Sequence, residues 1–241
     1  MGVCTIVSVD GTTPDVATAK RYGLRYVHMP IGYHGIDRER QLEIARAVRD
    51  LPGSVYIHCR HGRHCGPAAA ATAAVLLNLL SADEGVAVMY QAGTSDSYPG
   101  LCACVQALQR APADELEQAP ADFPEISPLP GFVRTMAELQ TAYDHLIQIR
   151  KAGWRVPPDH PDLVPLAEAR RLEKLLRALQ DDPEREMHAA DFARMLPASS
   201  AATHDLAKAL LRQTPHDELT RQLRLVRDSC KSCHTAYRDD R

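Results

Sequence analysis

Residues 230–234, with the sequence Cys-Lys-Ser-Cys-His, constrain this chain more than any other part of its 241 residues. In a Cys-x-x-Cys-His motif the two thiols can add to the vinyl groups of a haem, while the adjacent imidazole ligates the iron. Cys-x-x-Cys also occurs in zinc sites and in redox-active loops. A zinc site needs a second pair of ligands, however, and the nearest other cysteines are Cys102 and Cys104. The motif therefore predicts covalently bound haem c.

The residues around the motif recur at helical spacing. Steps of four and three residues separate Leu219, Leu223, Val226, Cys230, Cys233 and Tyr237. This spacing places the motif on the buried face of an amphipathic helix. Segment 226–238 resembles the last helix of the class II c-type cytochromes, the cytochrome c′ and c556 group, which are four-helix bundles. The resemblance implies that Cys230 and Cys233 bind the haem covalently and that His234 is the proximal iron ligand.

The rest of the C-terminal half also has the pattern of an all-α bundle. Two apolar stripes at helical spacing read as core faces. They comprise Phe132, Met136, Leu139, Tyr143 and Leu146, and Leu172, Leu175, Leu176 and Leu179. Prolines fall between or beside the periodic stretches, where helices should end. The pattern predicts helices at about 131–151, 162–180, 184–213 with a break near Pro197, and 216–238.

The distal side of the haem is assigned from the first of these helices. The resemblance implies either a Met ligand or an apolar residue that leaves the iron five-coordinate. Met136 is the candidate ligand because it lies on the apolar stripe, although a Met there can equally be a core residue. Arg134 can pair with a haem propionate or remain in solvent. His145 and His188 are competing ligands, and surface or capping roles fit them as well.

The N-terminal half has an α/β pattern. Strands are predicted at 3–9, 24–31 and 55–57, with helices at 14–22 and 67–80. The third strand runs into segment 58–67, His-Cys-Arg-His-Gly-Arg-His-Cys-Gly-Pro, and then into an Ala-rich helix. A strand, a glycine-containing loop and a helix N-terminus can hold phosphate or another oxyanion on backbone N–H groups. The loop 93–100 is a turn that can lie over this site.

At this loop the chain resembles the tyrosine and dual-specificity phosphatases, whose signature is His-Cys-x5-Arg followed by Ser or Thr. His58, Cys59 and Gly62 match the signature, whereas Cys65 and Gly66 stand at the positions of the arginine and of Ser or Thr. The resemblance implies that Cys59 is the nucleophile and that His34 or Asp37 is the general acid. The predicted oxyanion-binding loop comprises Cys59, Arg60, His61, Gly62, Arg63, His64 and Cys65.

The arginine matters because phosphoryl transfer depends on neutralising the phosphoryl oxygens, and a thiol cannot replace a planar guanidinium. We therefore rank oxyanion binding without efficient turnover first for this loop, weak phosphatase activity second and redox chemistry third. The redox reading includes a disulfide between Cys59 and Cys65, and two reduced thiols are the alternative.

Composition and segmentation complete the sequence-based expectation. Residues 113–130 are rich in proline and acidic residues, which predicts a linker between an α/β domain at 1–112 and a bundle at 131–241. A net charge of -3 gives no reason to expect nucleic acid or an anionic membrane as a partner, and no apolar run is long enough to span a membrane. Covalent haem attachment implies export to the periplasm or another external compartment. A signal peptide and a first βα unit are therefore expected upstream, with the given sequence either truncated or misassigned at its start.

The first functional hypothesis is an exported c-type haem protein for electron transfer or for sensing a small ligand or redox state. In it the N-terminal domain binds phosphate or another oxyanion. Its partners would be a redox protein or a small gaseous ligand, and a homodimer is expected from the cytochrome resemblance. The second hypothesis is a haem-regulated cysteine-dependent phosphatase with weak activity. The third is a scaffold in which neither site works.

Overall fold

A computed structural model describes residues 2–129, 131–182 and 190–236. The described residues divide into two compact units, with the boundary between Pro128 and Leu129. The first unit is α/β and the second is helical, so the predicted combination of α/β and all-α parts is confirmed. No helix among the described residues is long and apolar enough to cross a membrane.

The first unit alternates strands and helices along its first half and is helical in its second half. Its elements are β1 (Val3–Ser8), α1 (Val16–Arg21), β2 (Arg25–His28), α2 (Arg38–Asp50), β3 (Ser54–His58), α3 (Cys65–Leu76), α4 (Ala82–Gln91), α5 (Pro99–Gln106) and α6 (Ala113–Gln118). The predicted strand at 24–31 is shorter in the structure, and the helix predicted at 67–80 begins two residues earlier and ends at Leu76.

The strands form a parallel sheet in the order β2-β1-β3. Because side chains alternate across a strand, Thr5, Val7 and Val27 lie on one face, and all three are fully buried. Helices α2 and α3 pack against each other, and α3 also packs on β3. The carboxyl ends of all three strands meet at one edge, and the loop after β3 leaves the sheet there.

Helix α3 is buried over most of its surface because its side chains are small. Ala68, Ala69 and Ala73 are at most 2% exposed. Small side chains allow the helix to lie close to the sheet and to its neighbours α2 and α4. The N-terminus of α3, which follows directly on the loop at 59–64, is thereby fixed at the edge of the sheet.

Residues 113–128 belong to the first unit, in contrast to the linker predicted at 113–130. Leu116, Ala119 and Phe123 are part of its hydrophobic core. The guanidinium of Arg46 donates hydrogen bonds to the backbone carbonyls of Glu117, at 2.7 Å, and Ala119. The high content of proline and acidic residues predicts a linker. Three widely spaced apolar residues nevertheless attach the segment to the core of the first unit: Leu116, Ala119 and Phe123.

In the second unit, described helices lie at all four predicted positions around one core. They are α7 (Gly131–Lys151), α8 (Pro165–Gln180), α9 (Ala190–Leu211) and α10 (His216–His234). Each helix packs against the next one along the chain. The break predicted near Pro197 is wrong, since α9 continues through this proline. Pro197 is exposed, so the backbone carbonyl that loses its helical partner can be solvated.

Candidate functional site

The Cys-x-x-Cys-His motif lies in the last turn of α10, which continues without interruption to His234. Residues three and four apart share a face of a helix, so Cys230, Cys233 and His234 point to the same side. Cys233 is only 6% exposed, and Cys230 is half-buried and packs against the same core. The sequence-based placement of both thiols on the core face is therefore confirmed.

The electrostatics of the two thiols distinguish between the possible uses of the motif. Burial raises the pKa of Cys233 to about 11, and it also raises the pKa of Cys230. Thiol–disulfide exchange needs the thiolate, which this environment disfavours. A thioether to a haem vinyl group carries no charge and loses nothing on burial. The surroundings of Cys230 and Cys233 thus suit a covalently attached, apolar macrocycle.

Helix α7 lies opposite the motif and runs antiparallel to α10. The indole N–H of Trp154, just after α7, donates to the hydroxyl of Thr220 near the start of α10, at 3.1 Å. At the other end, Tyr143 is near Cys230: burial raises the pKa of Tyr143, and the neighbouring Cys230 adds to this effect. In the described part of the second unit, few Cα atoms of α7 lie within 8 Å of a Cα atom of α10. Consecutive helices have many such close Cα pairs.

This arrangement places Met136 at the same end of the second unit as His234. Met136 lies about two turns before Tyr143 on one face of α7, and His234 about one turn beyond Cys230. Met136 is half-buried and packs against the core, whereas Arg134 is exposed. His145 faces α8, where its Nδ1 lies 2.8 Å from a carboxylate oxygen of Glu168. His188 lies outside the described residues.

The loop at 59–64 connects β3 to α3, as predicted. Its first residue lies directly over the first turn of α3: a Cβ added to Gly66 would be 3.1 Å from the backbone nitrogen of Cys59 and 3.4 Å from its Sγ. Gly62 has a φ of 66°, a conformation that favours glycine. The capping residue of α3, His64, makes no side-chain hydrogen bond to the helix. The first turn of α3 therefore lies beside Cys59.

Aromatic residues of the sheet hold the residue before the nucleophile position. The hydroxyl of Tyr26 lies 2.7 Å from Nε2 of His58, and the ring of Tyr56 stacks on the His58 imidazole with centroids 5.7 Å apart. These side chains line a groove together with Ile6 and residues 59–62. A second groove on the other side of Cys59 and Arg60 is lined by Asp10, Thr12 and neighbouring residues. Sequence analysis missed Tyr26 and Tyr56, although their strand alternation places them on the face of His58.

Cys65 occupies a different place from the rest of the predicted loop. It is 5% exposed and belongs to the hydrophobic core of the first unit, and it lines neither groove. Within the described residues, no disulfide joins Cys59 to Cys65. Cys65 stands at the position where phosphatases carry their arginine. Its short side chain lies in the core, at the start of α3. Arg60, His61 and Arg63 are exposed around the loop.

The two general-acid candidates lie in the loop before α2. The carboxylate of Asp37 caps α2 by accepting the backbone N–H of Arg40 at 2.9 Å, so it has a structural role. His34 is exposed. Neither residue lines the two grooves beside Cys59. The geometry thus brings together Cys59, Arg60, His61 and Gly62, and leaves both acid candidates outside this group.

Residues 94, 95 and 98, before the start of α5, contact the loop at 59–64. The hydroxyl of Thr94 donates to the backbone carbonyl of Arg63 at 2.7 Å, and the backbone N–H of Ser95 points at Nδ1 of His64 at 3.4 Å. The His64 ring also contacts the ring of Tyr98, with centroids 4.4 Å apart. No alternation or capping pattern indicates Thr94 and Tyr98 as individual contact residues.

Comparison with known proteins found no match to any family model, to any curated protein or to any solved structure. Within residues 2–129, 131–182 and 190–236, no three His, Cys, Asp or Glu side chains are grouped so that they could hold a bare metal ion. A haem iron requires less from the protein, since the porphyrin supplies its equatorial ligands and one axial histidine suffices.

Proposed function

We propose that the second unit is a four-helix bundle of the cytochrome c′ and c556 type that carries a covalent haem c. Cys230 and Cys233 form the thioethers, and His234 is the proximal iron ligand. The observation that carries this proposal is the position of both thiols on the core face of α10, where burial raises the pKa of each thiol.

Haem bound at this position would supply one-electron chemistry or the binding of a small gas. The chain's own residues would hold it and control access to it. Cys233 packs in the core of the second unit, and Met136 is the proposed distal ligand. We propose that the protein is exported, that its partner is a redox protein or a small gaseous ligand, and that it assembles as a homodimer.

A haem stain on a denaturing gel tests this proposal. The chain, produced with a haem-maturation system in the periplasm, should stain, and a Cys230→Ser/Cys233→Ser variant should lose the stain. Cys104→Ser, a half-buried cysteine of the first unit, is the matched control and should stain as the native chain does. A native chain that stays unstained would contradict the proposal. Loss of a low-spin reduced spectrum in Met136→Leu would identify the distal ligand.

For the first unit we propose a phosphatase-like domain that binds phosphate or another oxyanion at the loop 59–64 without efficient turnover. Support comes from Cys59 above the first turn of α3 and from the three exposed basic side chains Arg60, His61 and Arg63. The burial of Cys65 in the core explains why turnover should be slow. No guanidinium at that position reaches the phosphoryl oxygens.

Weak, haem-regulated phosphatase activity is the second candidate, favoured by the contact of the Cys59 Sγ with the start of α3. An aryl phosphate assay separates the two candidates. For oxyanion binding alone, the native chain should be no faster than Cys59→Ser while inorganic phosphate still binds. A native rate clearly above that of Cys59→Ser would establish the phosphatase.

A further inference from the structure

Two segments that are distant in sequence meet the turn at 93–100. On one side, Thr94 and Ser95 contact the backbone and the ring of residues 63 and 64 in the oxyanion-binding loop. On the other side, the ring of Tyr98 stacks on the ring of Tyr33 with centroids 4.8 Å apart and rings inclined by 30°. The turn therefore touches both the oxyanion-binding loop and the loop that precedes α2.

Tyr98 is the residue that joins these contacts. Its ring lies between His64, at 4.4 Å, and Tyr33, at 4.8 Å, which makes a continuous series of three rings. The backbone is equally close at this point: a Cβ added to Gly100 would fall 2.2 Å from the backbone oxygen of His34. Only glycine fits there, so the loop that carries His34 is packed directly against the start of α5.

His64 is the residue through which these contacts reach the oxyanion site. It is the capping residue of α3, immediately before the first N–H groups of that helix. Its ring is held by Tyr98, while Thr94, which is 6% exposed, fixes the carbonyl of Arg63 one residue earlier. Binding an oxyanion to backbone N–H groups requires that they are already ordered, because ordering them at the moment of binding costs affinity.

We propose that Tyr98 is a positioning residue that holds the oxyanion-binding loop in its binding conformation and ties it to the loop carrying His34. This inference rests on the proposed oxyanion binding of the first unit. It assigns no contact between Tyr98 and the oxyanion. Tyr98 acts through the His64 ring on one side and the Tyr33 ring on the other, so the loops at 33–36 and 59–64 respond together when an oxyanion binds.

The test measures the affinity of the full chain for inorganic phosphate by titration calorimetry. Tyr98→Leu, which removes both ring contacts, should weaken binding about tenfold, since an aromatic pair contributes up to roughly one order of magnitude in an equilibrium constant. Tyr98→Phe keeps the rings and should bind within about twofold of the native chain by the same reasoning. Tyr22→Leu, at a residue that is 77% exposed, is the control and should leave the affinity unchanged.

A second readout separates positioning from general structural damage. In amide NMR spectra of the native chain, phosphate should shift the signals of Tyr33, His34 and Gly35, and in Tyr98→Leu these shifts should be lost while those of residues 60–64 persist at saturating phosphate. If Tyr98→Leu does not fold, Tyr33→Leu replaces it in the test. This variant removes the ring contact between Tyr33 and Tyr98 and should have the same effect on the phosphate-induced shifts. Native affinity and native shifts in either folded leucine variant would overturn the inference. Failure of the native chain to bind phosphate would instead refute the proposed oxyanion function, and the inference would fall with it.

Discussion

His28 is a buried histidine whose hydrogen bonds fix its tautomer. Its Nδ1 accepts the backbone N–H of Ser127 at 3.1 Å, so Nε2 carries the proton and donates to the backbone carbonyl of Asp10 at 2.7 Å. The Ser127 hydroxyl donates to the His28 carbonyl, and the His28 N–H donates to the carbonyl of Pro124 at 2.8 Å. This single residue therefore attaches segment 124–127 to the sheet.

We expect His28 to make the first unit less stable in acid. Burial lowers the pKa of His28 below its ordinary value of 6.5, with Arg40 acting in the same direction and Asp10 opposing it. Above pH 6.5 the residue is neutral in both the folded and the unfolded chain. As the pH falls below that value the unfolded chain takes up a proton that the folded chain does not, so the free energy of unfolding decreases until the pH passes the folded pKa.

Urea unfolding, followed by amide NMR signals of the strands at several pH values, measures this effect. His28→Asn keeps an acceptor for Ser127 but cannot titrate, so its stability should depend less on pH below 6.5. His160→Asn makes the same change at an exposed position and should behave as the native chain. Parallel curves for the native chain and His28→Asn would show that His28 does not titrate as proposed.

Two glycines near Cys59 should separate binding from stability. Gly66→Val places atoms within 3.1 Å of the Cys59 backbone nitrogen, so it should displace Cys59 and abolish phosphate binding. Gly62 has no atom within 4 Å of an added Cβ, but its φ of 66° disfavours any other residue. Gly62→Ala should therefore cost about 1–3 kcal/mol of stability through backbone strain. Calorimetry with phosphate and thermal unfolding distinguish the two outcomes, and equal phosphate affinity in Gly66→Val would contradict this account.

At the scale of elements, α8 connects its two neighbours through buried glutamates. Glu168 pairs with His145 of α7 at 2.8 Å, and Glu173 pairs with His204 of α9 at 3.0 Å. Both glutamates are 8% exposed. Buried carboxylates are retained only where they have partners, and these two pairs fix which faces of α8 meet α7 and α9.

Removing either glutamate should destabilise the second unit because it leaves a histidine without its acceptor. Glu168→Ala and Glu173→Ala should each lower the free energy of unfolding by about 1–3 kcal/mol, measured by urea unfolding with Trp154 fluorescence. Glu218→Ala breaks a surface ion pair with Arg221 and should change the stability only slightly. Equal losses for Glu218→Ala and Glu168→Ala would mean that burial of the pairs is unimportant.

Local patterns predict the elements of this chain better than the contacts between them. The stripes in α7, α8 and α10 are evident because apolar periodicity is a local property, and the continuation of α10 through the motif follows from the same spacing. Pro197 was predicted to break α9, since the sequence does not show that it faces solvent. The burial of Cys65 and the ring contacts of Tyr98 depend on residues distant along the chain, which no local pattern encodes.

At the scale of the whole molecule, the residues that the structure describes form two separate hydrophobic cores. One is formed by residues between Val7 and Phe123, and the other by residues between Phe132 and Cys233. Each core is made of elements that are consecutive in sequence. Domains of this kind can fold as independent units, and the division between Pro128 and Leu129 identifies where the chain can be cut.

The position of this division leads to a prediction that contrasts two truncations. A fragment of residues 1–128 keeps the core intact, whereas a fragment of residues 1–112 lacks Leu116, Ala119 and Phe123, and also the Ser127 partner of His28. Burying one large apolar side chain contributes about 1.5–3 kcal/mol, so the lost contacts are comparable with the whole stability of a small domain, about 5–15 kcal/mol.

We therefore expect the fragment 1–128 to unfold cooperatively on heating, and the fragment 1–112 to be largely unfolded or to aggregate. Circular dichroism and amide NMR spectra of the two fragments measure this difference. Phe123→Ala in the longer fragment is an intermediate case, and it should lower the free energy of unfolding by about 3–5 kcal/mol. If the shorter fragment were as stable as the longer one, residues 113–128 would be a linker after all, because their burial would contribute nothing to the fold.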